Sequence, residues 1–131
     1  MDRPSSPADL HDLLVEAAET ERRLPRAIGR KQITWWPTIA RDRDWLAYAD
    51  DESQTRLEPA TASQVTRYDW LLDAIMVLPN AYDRKVLWST AYASAFRSRT
   101  PWLKISRRYN CDRRTIKRHY ELALLSLFVS L

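Results

Sequence analysis

One glycine in 131 residues, Gly29, excludes at once the glycine-rich phosphate loops and the dinucleotide-binding fingerprint. One cysteine, Cys111, excludes an intramolecular disulfide and suits a reducing compartment. The two histidines, His11 and His119, stand far apart, with no cysteine or second histidine at ligand spacing, so no zinc site and no cofactor are expected. No apolar run reaches the length of a membrane span, and the acidic, helix-like start lacks the basic and apolar regions of a secretory signal. A soluble, cytoplasmic protein without a membrane partner is the expectation. Most carboxylates sit in charged stretches and no Ser, His and Asp grouping stands out, so no enzyme is expected either.

What is present is apolar bulk and localised charge. Hydrophobic residues make up 45% of the chain, with six Trp and six Tyr, enough for a packed core in one domain or in one small domain with an N-terminal appendage. The net charge of +4 hides an asymmetry: residues 1–60 hold nine basic and twelve acidic residues, residues 61–131 twelve basic and five acidic. The basic excess culminates between Arg97 and Arg118, where nine basic residues (Arg97, Arg99, Lys104, Arg107, Arg108, Arg113, Arg114, Lys117, Arg118) meet one acid, Asp112. Such a surface can be mere solvation on a helical protein. Here it coincides with a helix, a tight turn and a second helix, the arrangement whose end fits a major groove and whose field attracts duplex phosphate.

The pattern along the chain is helical. Ser6-Pro7-Ala8-Asp9 reads as an N-cap, a proline at the first helical position and an acid in the first turn, and Leu10, Leu13, Leu14, Ala17, Ala18 and Leu24 form an apolar stripe closed by Pro25. Asp12, Glu16, Glu19 and Arg23 occupy the opposite face. Residues 25–60 are irregular and Trp-rich: Trp35 and Trp36 beside Pro37 suit core anchors better than ligand stackers, Thr38 to Tyr48 offers one or two short helices, and Asp50 to Pro59 reads as a polar linker. From Ser63 the periodicity sharpens. Val65, Tyr68, Leu71, Leu72, Ile75 and Leu78 mark a helix ending at Pro79, and Asn80 with Asp83 opens the next, with Val86, Leu87, Thr90, Ala91 and Tyr92 inward. Thr100-Pro101 starts a third helix and Asp112 caps a fourth.

The turn explains its own residues. Ile105 and Tyr109 face the core, Ser106 is small where helices approach, Asn110 tolerates left-handed backbone, and Cys111 is expected as a small buried hydrophobe. On the last helix Ile116, His119 or Tyr120, Ala123, Leu124 and Leu127 share one face; Arg113, Arg114, Lys117 and Arg118 share the other. These four are the candidates to read bases, with Arg97, Arg99, Lys104, Arg107 and Arg108 along phosphates. His119 suits helix packing or a phosphate contact. Two apolar surfaces need cover, the stripe from Leu10 to Leu24 and the tail residues Leu125, Phe128, Val129 and Leu131; they either bury each other or join subunits.

The run from Asp69-Trp70-Leu71-Leu72 through Leu78-Pro79, Asp83-Arg84-Lys85-Val86-Leu87 and Ile105-Ser106-Arg107-Arg108-Tyr109-Asn110-Cys111-Asp112-Arg113-Arg114-Thr115-Ile116 resembles the region 4 helix-turn-helix of sigma-70-type factors. The resemblance covers about half the chain, with Asn110 where a glycine is usual and Cys111 where a valine is; no region 2 counterpart precedes it, so a full sigma factor is not expected. It implies that Arg113, Arg114, Lys117 and Arg118 lie on the DNA-reading helix. The whole chain also resembles an uncharacterised family of small phage and prophage proteins, through its Leu24-Pro25 and Trp36-Pro37 elements and the same C-terminal module; that family implies no established activity.

The resulting expectation is an all-α protein. Residues 61–131 form a four-helix, sigma region 4-like helix-turn-helix domain; residues 1–60 supply an amphipathic helix and an irregular Trp-rich segment for packing or oligomerisation. The expected function is sequence-reading binding of double-stranded DNA in a phage or prophage-type transcriptional regulator. The alternatives are the DNA-recognition subunit of a phage packaging terminase and a protein-interaction adaptor. Besides DNA, the partners in view are further copies of the chain, RNA polymerase and another phage protein.

Overall fold

The computed structural model describes residues 3–24 and 58–131. Over them the chain is all-α, with five helices and, among the described residues, no strand: α1 Pro7–Arg23, α2 Ala62–Met76, α3 Ala81–Ser94, α4 Trp102–Arg108 and α5 Arg113–Ser130. The expectations for Pro25, for Trp35 and Trp36, for helices within residues 38–48 and for most of the 50–59 linker lie outside the described residues.

Each helix start has a local cause. Extended Ser6 accepts the Asp9 N–H at 3.2 Å, and Pro7 takes the first position, where its missing N–H costs nothing. Asp9 in the first turn of α1 and Arg22 and Arg23 in the last complement its dipole. α2 begins at Ala62, slightly ahead of the periodic signal, because Thr61 and Gln64 close a reciprocal capping box of 3.2 and 3.0 Å. Asn80 caps α3 through the Tyr82 N–H at 3.0 Å. α4 departs from expectation: it starts at Trp102, Pro101 holds the cap position, and no side chain caps it. Thr100 is engaged elsewhere, its hydroxyl accepting from Ser94 at 3.2 Å.

α3 lies at the centre. α1 and α5 both pack on it, α2 packs on α1, and α4 packs on α5. That position explains why Val86 to Ala91 are buried without a break, including Trp88 and Ser89, which a one-sided helix would have left outside. A continuous core joins Leu10 and Leu14 of α1 to Leu71 and Ile75 of α2, Val86, Leu87 and Trp88 of α3, Ile105 of α4, and Ile116 and Leu127 of α5. The α1 stripe is therefore covered within the chain. Its polar side is also engaged, since Glu16 pairs with Arg67 at 2.6 Å and Glu19 accepts the Phe96 N–H at 3.1 Å.

Candidate nucleic-acid interface

The α4–α5 unit is built around one left-handed residue. Asn110 has φ 53°, and around it Cys111 N–H bonds Ser106 O at 3.0 Å while Asn110 N–H bonds Arg107 O at 3.4 Å. This double closure satisfies the last carbonyls of α4 and turns the chain sharply, and asparagine tolerates the left-handed backbone better than most side chains. Asp112 then caps α5 by accepting the Arg114 N–H at 3.3 Å. Ser106 is buried at the close approach, as expected. Cys111 is only half-buried rather than fully covered, its thiol directed at Tyr109 O at 3.2 Å, because the turn lies at the rim of the core.

Aromatic and hydroxyl contacts hold this unit on the body. The Tyr109 hydroxyl meets Ser89 Oγ at 2.6 Å, tying the turn to α3. The Tyr82 hydroxyl meets His119 Nδ1 at 2.9 Å, tying the start of α3 to α5. The Trp102 and Tyr120 rings meet edge-on at 5.5 Å, and the Tyr120 hydroxyl also bonds His11 Nδ1 across to α1. Burial, and for Tyr82 the nearby Cys111, raises the pKa values of Tyr82, Tyr109 and Tyr120, so these phenols stay protonated. Of the two residues offered for the inward face, Tyr120 is buried and His119 stands at its edge. The Tyr82–His119 and Ser89–Tyr109 pairs span 37 and 20 residues, so periodicity carries no trace of them.

Arg113, Arg114, Lys117 and Arg118 are all exposed in the first two turns of α5, Arg114 and Arg118 opposite the buried face of Ile116, Tyr120 and Ala123, and Arg113 and Lys117 at the N-terminal edge of that face. Among the described residues, none of the four makes an ion pair or a side-chain hydrogen bond. Lys104, Arg107 and Arg108 are exposed on α4, the two arginines in its last turn, next to the start of α5. Arg97 and Arg99 are set apart from these seven. Half-buried Arg97 and exposed Arg99 belong to the α3–α4 loop and line an open cleft of about 370 Å³ with His11, Asp12, Glu16 and Glu19 of α1. That loop is held from α1: Phe96 adopts φ 61°, its N–H bonds Glu19, and the Arg22 guanidinium stacks 5.0 Å from its ring. The clasp of the loop by α1 has no sequence signal beyond charge on the polar face of that helix.

Of the five described helices, α1 and α3 carry an acid in the first turn and α2, α4 and α5 carry none; α5 alone opens on arginines, at its first two positions. Around the Asp112 cap, the cationic side chains at the positive end of the helix can receive anions. Among the described residues no group of His, Cys, Asp and Glu could hold a metal ion, and no helix is long and apolar enough to cross a membrane.

Fold and surface together define an all-α protein that exposes a basic, capped helix start. The chain belongs to the family described as Domain of unknown function (DUF6362), which matches residues 22–127. No curated protein and no solved structure matches it.

Proposed function

We propose that this chain is a sequence-reading double-stranded-DNA-binding protein of the helix-turn-helix kind, acting as a phage or prophage-type transcriptional regulator. Arg113, Arg114, Lys117 and Arg118 read base edges from the major groove, while Lys104, Arg107 and Arg108 take phosphates beside it. Arg97 and Arg99 meet phosphates further out, on the side of α1.

The observation that carries this reading is the placement of four exposed basic residues in the first two turns of α5, with no acid in its first turn. A cation at a helix N-terminus opposes the dipole and costs roughly 0.3–1 kcal/mol. A surface selected only for solubility would place those charges elsewhere. A polyanion repays the cost, and arginine matches the O6 and N7 acceptors of guanine with a bidentate fork. The test is selection from a random-sequence duplex library followed by titration of the enriched DNA. Enrichment of a defined motif supports the reading; no salt-sensitive binding would transfer the proposal to a protein adaptor.

A packaging-subunit reading draws on one further observation, an exposed apolar stripe on α5 suited to assembly. A ring of many subunits in solution would favour it over a regulator.

A further inference from the structure

Between Arg113 and Glu121, α5 buries Ile116 and Tyr120, and His119 at the edge is engaged by Tyr82. The exposed side chains of that stretch are Arg113, Arg114, Thr115, Lys117, Arg118 and Glu121. Successive residues turn by about 100° around a helix axis. Arg114 and Arg118, four apart, therefore stand on one line, directly away from Ile116, Tyr120 and Ala123. Arg113 and Lys117 lie to one side of that line and Thr115 to the other. Among the described residues, Arg114, Thr115 and Arg118 make no side-chain hydrogen bond and no ion pair.

We propose that α5 selects a duplex site of two guanines with one T·A pair between them, Arg114 and Arg118 each reading a guanine and Thr115 meeting the thymine methyl. The proposal rests on the DNA-reading function above and names the class of sequence that this surface accepts. The side chains present decide the bases. Guanine offers O6 and N7 to a bidentate guanidinium, adenine pairs with Asn or Gln, and cytosine with Asp or Glu. No Asn or Gln occurs between Arg113 and Glu121. Asp112 is occupied as the cap of α5. Glu121 lies one turn beyond Lys117, where a carboxylate is repelled by phosphate, so it marks the far end of the contact. Thr115 is the exposed uncharged side chain within that stretch, and its methyl suits the C5-methyl of thymine.

Helix geometry then sets the spacing. At about 1.5 Å per residue, Arg118 lies about 6 Å beyond Arg114 along the axis, close to two base steps of about 3.4 Å. The two guanidinium forks therefore reach bases two steps apart and leave one pair between them. Thr115 falls between the two arginines along the axis and has the shortest of the three side chains. The long arginines extend to the outer pairs, and the threonine meets the middle one. From Arg113 to Arg118 the helix advances about 7.5 Å, room for about three base pairs.

Library selection with the full chain, then titration of the enriched duplex and its modified forms, tests this. The expected motif holds two fixed guanines around one T·A pair. Replacing either guanine by 7-deazaguanine removes N7 and should lower affinity about tenfold. Arg118→Gln should change the preference at one guanine position to adenine and leave the other position as it was; Arg114→Gln should do the reverse. Deoxyuridine in place of the thymine should weaken binding of the wild type about threefold, the worth of one methyl, and leave Thr115→Ser unaffected. All three positions are exposed, so the variants should keep the fold, read by circular dichroism. Each readout compares two bases within one protein, so a general loss of positive charge does not imitate it. A motif without guanines at this spacing, variants that bind more weakly with preference unmoved, or an equal deoxyuridine loss in Thr115→Ser would each overturn the proposal while DNA reading stands. If no motif is enriched at all, the DNA reading itself fails and the proposal with it.

Discussion

Asn110 shows how one residue sets the geometry of the candidate interface. Its φ of 53° is needed for the double closure of α4, and glycine would occupy that region without the steric penalty. Asn110→Gly is expected to leave stability within about 1 kcal/mol, whereas Asn110→Val should cost more than that, by urea denaturation. His11 carries a pH dependence. Burial beside Tyr120 lowers its pKa from the usual 6.5, opposed by the charge of Asp12. The unfolded chain then binds more protons than the native one as pH falls below about 6.5, so this part of the stability is complete above that pH and declines beneath it. Unfolding midpoints measured between pH 5 and 8 should show the decline in wild type, and His11→Gln should flatten it. At the interface, Arg113→Ala or Arg114→Ala should cost about 1–3 kcal/mol on the selected DNA and relax base preference. Lys104→Ala and Arg107→Ala should weaken all duplexes nearly equally. Anisotropy titrations on matched and scrambled DNA separate the two classes, and a uniform loss in both would refute base reading by α5.

Among the elements, α1 matters most for what the rest can do. Leu10 and Leu14 are buried in the same core as Ile116 and Leu127, and Glu19 with Arg22 holds the loop that carries Arg97 and Arg99. α1 therefore braces the α4–α5 unit rather than trailing from it. Leu14→Ala should destabilise by about 2–5 kcal/mol, the range for a fully buried leucine. The loss should appear as one earlier, still cooperative transition in calorimetry, with α5 melting in it; a separate α1 transition would contradict the shared core. The Arg67–Glu16 pair that also anchors α1 is about one-third exposed on both sides, so solvent screening keeps its contribution small beside that of the buried leucines.

For the molecule as a whole, the relevant field is the basic second half. Contact with about five phosphates would give a slope of log affinity on log salt near −4 to −5 for duplex DNA. A flat titration would remove phosphate contact as the source of affinity. The cleft between α1 and the α3–α4 loop places Asp12, Glu16 and Glu19 beside Arg97 and Arg99, so these two arginines should contribute less to the slope than Arg107 or Arg108.

Local chemistry made much of this protein legible from its sequence alone. Ser6, Asn80 and Asp112 announce helix starts because a short side-chain acceptor before an amphipathic run has few other uses, and Asn110 announces the turn for the same kind of reason. The inward face of α5 was equally plain, since Ile116, Ala123, Leu124 and Leu127 keep helical spacing against a run of arginines. Thr100 and Pro101 stand just before the helix they were expected to start, and the Thr100 hydroxyl meets Ser94 instead. Only the tertiary structure could decide that α3 is enclosed from two sides, that α1 closes on the core and braces the loop, and that Tyr82 meets His119. Those are contacts between residues far apart in the chain, and periodicity records which side of a helix is apolar but never what comes to lie against it.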